Sequence, residues 1–305
     1  MTIQQLEYIV ALDTYRHFVT AAEKCYVTQP TLTMQVKKLE ESIGISIFDR
    51  KKSPIEPTVI GESIILKARS VLREVQQLKA LVNDEKSQIE GEFRIGVIPT
   101  ISPYLIPLFA TKFAKEYPKT KLIIEELRSE QIIGSLNQDK LDMGILTTPL
   151  KEPHLREVVL YSEPFKVFTS PDHFFAEKKQ ISAKDLVNAE GLWLLQQGHC
   201  VRDQVLNLCK QPNKRSLHFE SGSIETIKNL ILHGGGFTLI PGLAAAPHEK
   251  NVIDIADPTP AREVSLVVHN GFAKEKLIEI LRDQILTVIP SSFMKNEHYF
   301  RVKWR

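Results

Sequence analysis

Between Thr58 and Ser87 the chain has no proline and one glycine, and Ile64, Ala68, Val71, Val75, Leu78 and Val82 recur at steps of 4, 3, 4, 3 and 4. That is a heptad seam, which lays one continuous apolar stripe along a helix. Lys67, Arg69, Arg73, Glu74 and Lys79 fall on the other faces. Thr58 offers a hydroxyl to cap the start. A helix of about 30 residues is roughly 45 Å long. The short stretch before it cannot bury so long a stripe. The spacing therefore predicts a partner helix and a two-fold dimer, in preference to a helix packed only on its own chain. It also divides the 305-residue chain into a small leading part and a large trailing part.

The leading part reads as helix, turn, helix. In FVTAAEKCYVTQPTLTMQVKKLEESIG, Phe18, Ala21, Ala22 and Cys25 share one helical face, and Tyr26-Val27-Thr28 interrupts it. Thr28 is placed to be an N-cap, with Pro30 in the first turn, where a missing N–H does no harm. Leu32, Val36 and Leu39 form the next apolar face. Gln29, Thr31, Thr33, Gln35 and Lys38 lie elsewhere on that helix. Outward hydroxyls and amides can read base edges and phosphates. The following segment IFDRKKSPIEPT reads as a basic hairpin, whose Arg50, Lys51 and Lys52 suit a phosphate backbone. Charge alone is a weaker guide. The whole chain carries a net +2, and residues 1–60 hold seven basic and seven acidic residues. Residues 24–52, however, hold six basic against three acidic. The competing reading is a small helical subdomain with no nucleic-acid partner.

Past Ile89-Glu-Gly-Glu92 the pattern changes. Residues 93–98, 122–127 and 141–146 read as strands, separated by helical stretches at Ser102–Tyr117 and beyond Leu127. LWLL at 192–195 reads as a strand and VRDQVLNLC as a helix. IETIKNLILHGGGFTLIP runs from helix through three glycines into strand, and AKEKLIEILRDQIL is the final helix. Strands alternating with helices predict a mostly parallel α/β sheet, here as two subdomains around a cleft. Ligands in such sheets sit beyond the carboxyl ends of strands, which points to Pro99-Thr100-Ile101-Ser102-Pro103. No run of about 18 apolar residues is present, so no membrane segment is expected. The start, MTIQQLEYIVALDTYRH, lacks the basic and apolar regions of a secretory signal. A cytoplasmic protein is therefore expected, in a compartment that keeps thiols reduced.

Three cysteines are too few for a disulfide scaffold, yet GHCVRDQVLNLC places Cys200 and Cys209 nine positions apart. Cys25 and Cys209 fit apolar patterns and are explained by packing. Cys200 follows Gly198-His199 at an expected helix start, with Arg202 close by. A helix N-terminus and neighbouring cations lower a thiol pKa and favour the thiolate. His199, Cys200 and Cys209 lack the spacing of a metal site, so no metal or other cofactor is expected. If residues 201–209 are helical, the two backbones are roughly 13 Å apart along the helix. A disulfide needs Cα atoms within about 7 Å. Joining the two thiols must therefore unwind the helix, which is what a two-state switch requires. Packing, metal and switch remain three readings of the pair.

The leading sixty residues carry LEYIVAL, AAEKCYVTQPTLTMQVKKLEESIGISIFDR and PTVIGE in order. In this they resemble the DNA-binding domain of LysR-type transcriptional regulators. Many members carry Ser-Arg where this chain has Thr33-Met34, so one arginine contact to DNA is absent. The resemblance implies a winged helix-turn-helix over 1–58 and a linker and dimerisation helix over 59–88. It also implies a periplasmic-binding-protein-like α/β sensor over 89–305. Within the sensor, subdomain I takes about 89–161 plus 269–305 and subdomain II about 162–268, with crossings near Tyr161 and His269. PTISPYLIP, GHCVRDQVLNLC and HFESGSIETIKNLILHGGGFTLIP resemble, more narrowly, the hydrogen-peroxide-sensing branch of that family. By that resemblance Cys200 is the peroxidatic cysteine and Cys209 the resolving one. Thr100 orients the peroxide, and His199, Arg202 and Asp203 complete the pocket. His218 also matches, with a less defined role. The implied partners are double-stranded promoter DNA, hydrogen peroxide, further copies of the chain in a dimer or tetramer, RNA polymerase and a cellular disulfide reductant. The implied protein is an activator and not an enzyme. A metabolite-binding LysR-type regulator with structural cysteines, and a thiol peroxidase, are the alternatives. The closing SSFMKNEHYFRVKWR matches neither pattern and reads as a solvated end.

Overall fold

The structure is a computed structural model of the chain, and it describes residues 1–83, 89–187, 189–209, 221–256, 258–294 and 298–304. Two compact units emerge: Met1–Gln88 with the short segments Asn137–Lys140 and Asn270–Glu275, and the remaining chain from Ile89 onward.

The first unit contains α1 (Ile3–Tyr15), α2 (Phe18–Lys24), α3 (Gln29–Ile43), β1 (Phe48–Asp49), β2 (Glu56–Pro57) and α4 (Val59–Asn83). Thr2 and Gln5 close a capping box at the start of α1. The Thr28 hydroxyl caps α3 and accepts the Thr31 N–H, as the Thr-Gln-Pro sequence predicts. Gly44, at φ 70°, ends α3 in the left-handed conformation that glycine adopts without strain. Leu6, Ile9, Leu12, Ala21, Ala22, Leu32, Val36 and Leu39 form the core, and Ile47 and Phe48 join it from the β1–β2 hairpin.

Helix α4 departs from a simple seam. Ile65 and Ala68 are buried in the core of this unit, with Ile64 and Leu72 packed against it. Arg69, assigned by spacing to an outer face, is 2 % exposed. Its guanidinium donates to Asp13 at 2.8 Å and to Thr14 Oγ1 at 3.1 Å, so the buried charge is paired rather than solvated. Further along the seam, Val71 and Leu78 are 42 % and 65 % exposed. The first half of the stripe is thus covered by its own chain. Val82 lies where side chains are outside the described set.

The second unit is built on a nine-stranded sheet. In chain order its elements are β3 (Gly91–Val97), α5 (Ser102–Glu116), β4 (Thr120–Glu126), α6 (Ser129–Asn137), β5 (Met143–Thr148), β6 (Leu155–Thr169) and β7 (Gln180–Ile181). Then follow α7 (Ala183–Val187), α8 (Cys200–Leu208), α9 (Ile224–Gly234), β8 (Phe237–Pro241), β9 (Val252–Ile255), β10 (Thr259–His269), α10 (Glu275–Val288) and β11 (Tyr299–Arg301). The strand order is β4-β3-β5-β10-β6-β9-β7, with β11 on β10 and β8 on β6. Only part of it is parallel. β3 runs parallel to β4 and β5, whereas β10 is antiparallel to both β5 and β6. LWLL forms no strand; Leu192 makes a single bridge to Phe237. The Trp193 carbonyl is taken by the Thr238 hydroxyl at 2.7 Å, which replaces a ladder bond.

Registry positions the site. Arg262 of β10 stands opposite Glu163 of β6, Val264 opposite Tyr161 of β6 and Thr147 of β5, and Glu263 opposite Thr148. Among the described residues, no helix is long and apolar enough to cross a membrane.

Candidate functional site

Cys200 opens α8 and is buried. Its thiol donates to Thr147 Oγ1 at 3.4 Å. Thr147 is wholly buried on β5. The neighbouring Thr148 hydroxyl turns to Glu263 at 2.9 Å and to Ser265 at 2.6 Å. The cation acting on Cys200 is Arg262. Register brings Arg262 against Glu163, with Nε to Oε2 at 2.8 Å, and both side chains are buried. Its two terminal nitrogens donate to Thr100, one to Oγ1 at 2.9 Å and one to the backbone oxygen at 3.0 Å. Thr100, which follows β3, is thereby locked beside the same guanidinium.

Opposing effects set the state of the thiol. Burial pushes the Cys200 pKa up; Arg262, the Thr147 hydroxyl and the Val201 N–H pull it down, and Asp203 adds a small push upward. Burial wins, so the Cys200 pKa stands above its ordinary value. The lowering expected from the helix start and a neighbouring cation is outweighed by desolvation. The donors are nonetheless placed where negative charge develops once the proton leaves. Burial also works against the charge on Arg262, but Glu163, Cys200 and Tyr161 together hold its pKa above the ordinary value.

Cys200 is the first of the nine residues of α8, and Cys209 caps the helix end in an extended conformation. Both cysteines are free. Burial pushes the Cys209 thiol up to about 12. The helix anticipated between the sulfurs is therefore present and intact.

The other anticipated residues are spread around this centre. His199 is the α8 N-cap residue but forms no side-chain cap. Its buried ring has Nε2 at 3.4 Å from the Gln196 amide nitrogen. Burial, then Arg128, lowers its pKa. Arg202 points elsewhere than the thiol, donating to the Leu195 carbonyl at 2.7 Å. Arg262 takes the place anticipated for it, because β-sheet register rather than chain proximity delivers the cation. The Asp203 carboxyl is pushed up by burial, with Arg202 opposing. His218 lies outside the described residues. Among those residues, no three His, Cys, Asp or Glu side chains gather as metal ligands. A cleft of about 390 Å³ lies in front of His199, lined also by Gln196, Arg128, Tyr104, Gly222 and Glu225. Pro99 and Pro103 reach it, while Thr100 is buried behind them.

The first unit presents a second surface. Thr28, Gln29 and Pro30 are exposed at the α3 N-terminus, with Thr31, Thr33 and Gln35 half-buried behind them and Lys38 exposed further along. Thr28 and Thr31 share a hydroxyl bond of 2.8 Å, and Gln29 donates to Thr33 at 3.0 Å. Gln35 accepts from Gln5 at 3.2 Å. Lys51 is exposed, whereas Arg50 is paired with Glu40 at 2.8 Å. Tyr26, 96 % exposed with φ 55°, stands in the turn before α3. Sequence reading treated that tyrosine only as a helix break. A bulky ring in a turn next to an exposed helix start is the signal it offered.

Residues 3–62 match the model for bacterial regulatory helix-turn-helix proteins of the lysR family, and residues 86–289 match that for the LysR substrate binding domain. The chain belongs to the LysR family of DNA-binding transcriptional regulators. Within it, the chain is 35 % identical to the hydrogen peroxide-inducible genes activator of Dickeya chrysanthemi, over 93 % of this chain and 95 % of that one. It is 34 % identical to the DNA-binding transcriptional dual regulator OxyR of Escherichia coli strain K12, over 97 % and 98 % of the two chains. A solved full-length OxyR variant from Pseudomonas aeruginosa matches with a TM-score of 0.84 at 35 % identity, covering 95 % of this chain and 99 % of that one.

Proposed function

We propose that this regulator senses hydrogen peroxide by forming a reversible Cys200–Cys209 disulfide. The observation that carries the reading is two free, buried thiols at opposite ends of one intact helix. Cys200, as thiolate, attacks one peroxide oxygen. The O–O bond breaks, hydroxide leaves and is protonated to water, and Cys200 becomes a sulfenic acid. Thr100 and Arg262 serve the peroxide, Arg262 and Thr147 serve the charge on sulfur, and His199 and Asp203 border the approach. The Cys209 sulfur then attacks the Cys200 sulfur, and the hydroxyl departs as a second water. Two thiols lose two electrons, and one peroxide gains them. Closing the bond unwinds α8 and reshapes residues 200–209. One peroxide is consumed per switching event and a separate cellular reductant resets the pair, so the protein works as a regulator and not as an enzyme.

The DNA side fits double-stranded promoter DNA through Gln29, Thr31, Thr33, Lys38 and the Arg50–Lys51 hairpin. The exposed half of the α4 seam supports a two-fold dimer, with a tetramer and contact to RNA polymerase as further steps in a cytoplasmic setting. The division into 1–58, 59–88 and 89–305 belongs to the same proposal.

The test treats reduced protein with peroxide and follows its thiol count, intact mass and promoter footprint together. Loss of two thiols with a changed footprint is expected, and Cys200→Ser is expected to abolish both. The cleft favours one competing reading, a regulator that answers a small metabolite there. A response that persists in Cys200→Ser decides for it.

A further inference from the structure

The closing segment, unplaced by sequence, is tied to the two elements that carry the thiol chemistry. Tyr299, Phe300 and Arg301 pair in parallel with Thr259, Pro260 and Ala261, so β11 lies along β10 immediately before Arg262. The Val302 N–H donates to the Ala261 carbonyl at 2.9 Å. Arg301 is ion-paired with Glu263, and the Val302 side chain is buried. The segment then meets α8. Gln204 Nε2 donates to the Val302 carbonyl at 3.0 Å, and Asn207 Nδ2 donates to the Lys303 carbonyl at 2.7 Å. Gln204 and Asn207 are three residues apart, so they lie on one face of the helix.

We propose that residues 299–303 form a strap holding α8 in its thiol conformation, and that Gln204 and Asn207 are positioning residues for the disulfide step, acting through the strap. The proposal rests on the peroxide-switch reading above. Both side chains lie in the chain between the two sulfurs, so unwinding α8 turns them away from the Val302 and Lys303 carbonyls, which directly follow the stretch paired with β10. The Gln204 amide has no solvent exposure, so its donors lose a partner without gaining water at once. The thiol form is thus favoured by bonds remote from sulfur. Each is worth about a fivefold shift in the thiol–disulfide equilibrium. An α8 released from the strap gives up its helix more readily.

The full chain is equilibrated with reduced and oxidised glutathione at a series of fixed ratios, which exchange two electrons with the cysteine pair. The disulfide fraction is read by intact mass. The Asn207→Ala and Gln204→Met variants and a chain ending at His298 are expected to reach half-oxidation under more reducing ratios, by about fivefold for each single substitution. Asn207→Ala placed in the shortened chain is expected to give no further rise. It should even fall slightly, since alanine favours helix. That reversal separates the strap from a change in helix propensity. Equal midpoints for the native chain and the two substitutions overturn the strap while leaving the switch in place. So does an Asn207→Ala shift that persists after shortening. Absence of any Cys200–Cys209 disulfide in the native chain overturns the switch and the strap with it. If the shortened chain does not fold, the two substitutions alone still decide.

Discussion

At the residue scale, Thr147 is the side chain closest in hydrogen-bonding terms to the reactive sulfur. It accepts from the thiol, and its own proton is available to turn toward a thiolate. A Thr147→Val substitution keeps the shape and removes that donor. Hydrogen bonds to charged groups contribute about 1.5–3 kcal/mol, so the rate of peroxide oxidation at neutral pH is expected to fall by about tenfold to a hundredfold. The sign with pH follows from the raised Cys200 pKa. With its pKa above the ordinary thiol value, the thiolate gains as pH rises, so the rate climbs with alkalinity. The Val variant shifts that climb to still higher pH, and Thr147→Ser restores it. Stopped-flow oxidation across pH checks this, and superimposable profiles for native and Val chains would refute it.

At the element scale, two short pieces do work out of proportion to their length. Helix α8 has nine residues, and isolated helices below about 12–15 residues are marginal in water. Its persistence comes from Cys200, Val201, Gln204 and Val205 being buried. The β1–β2 hairpin has only two residues in each strand. Glu40 holds it against α3: its carboxylate accepts the Ile47 and Phe48 N–H groups at 2.8 and 3.2 Å and pairs with Arg50. Glu40→Ala is expected to destabilise the first unit by about 2 kcal/mol and to weaken promoter binding by loosening the hairpin. Thermal unfolding and a binding titration on the same sample measure both, and an unchanged midpoint would show that the hairpin stands without Glu40.

On the scale of the whole molecule, the exposed stretch of α4 predicts association. Leu78→Asp changes a side chain that is 65 % exposed in the single chain, so folding is expected to survive. Sedimentation is expected to show lighter species, with weaker binding to a two-fold promoter site. A dimer undisturbed by the change would place the interface elsewhere. Much of this organisation was legible from sequence, because its signals are local. Thr28 with Pro30 marks the start of α3, and Gly198-His-Cys marks the start of α8. What escaped depends on pairing between distant segments. Arg262 is 62 residues from Cys200 and reaches it only because β10 aligns with β6 and β5. Arg69 looked like a surface charge until the fold set it against Asp13. The closing strand gave no period at all, since its partner rather than its own pattern makes it a strand.

The pairing of β11 with β10 has a practical consequence for anyone wishing to turn this chain into a live-cell indicator. A fluorescent cargo joined after Arg305 would follow directly on the strand next to Arg262. One joined before Met1 would crowd Thr2 and Gln5, which close the first helix. The exposed turn at Pro247–His248 is the better graft site, since it leaves both ends of the polypeptide to their structural roles.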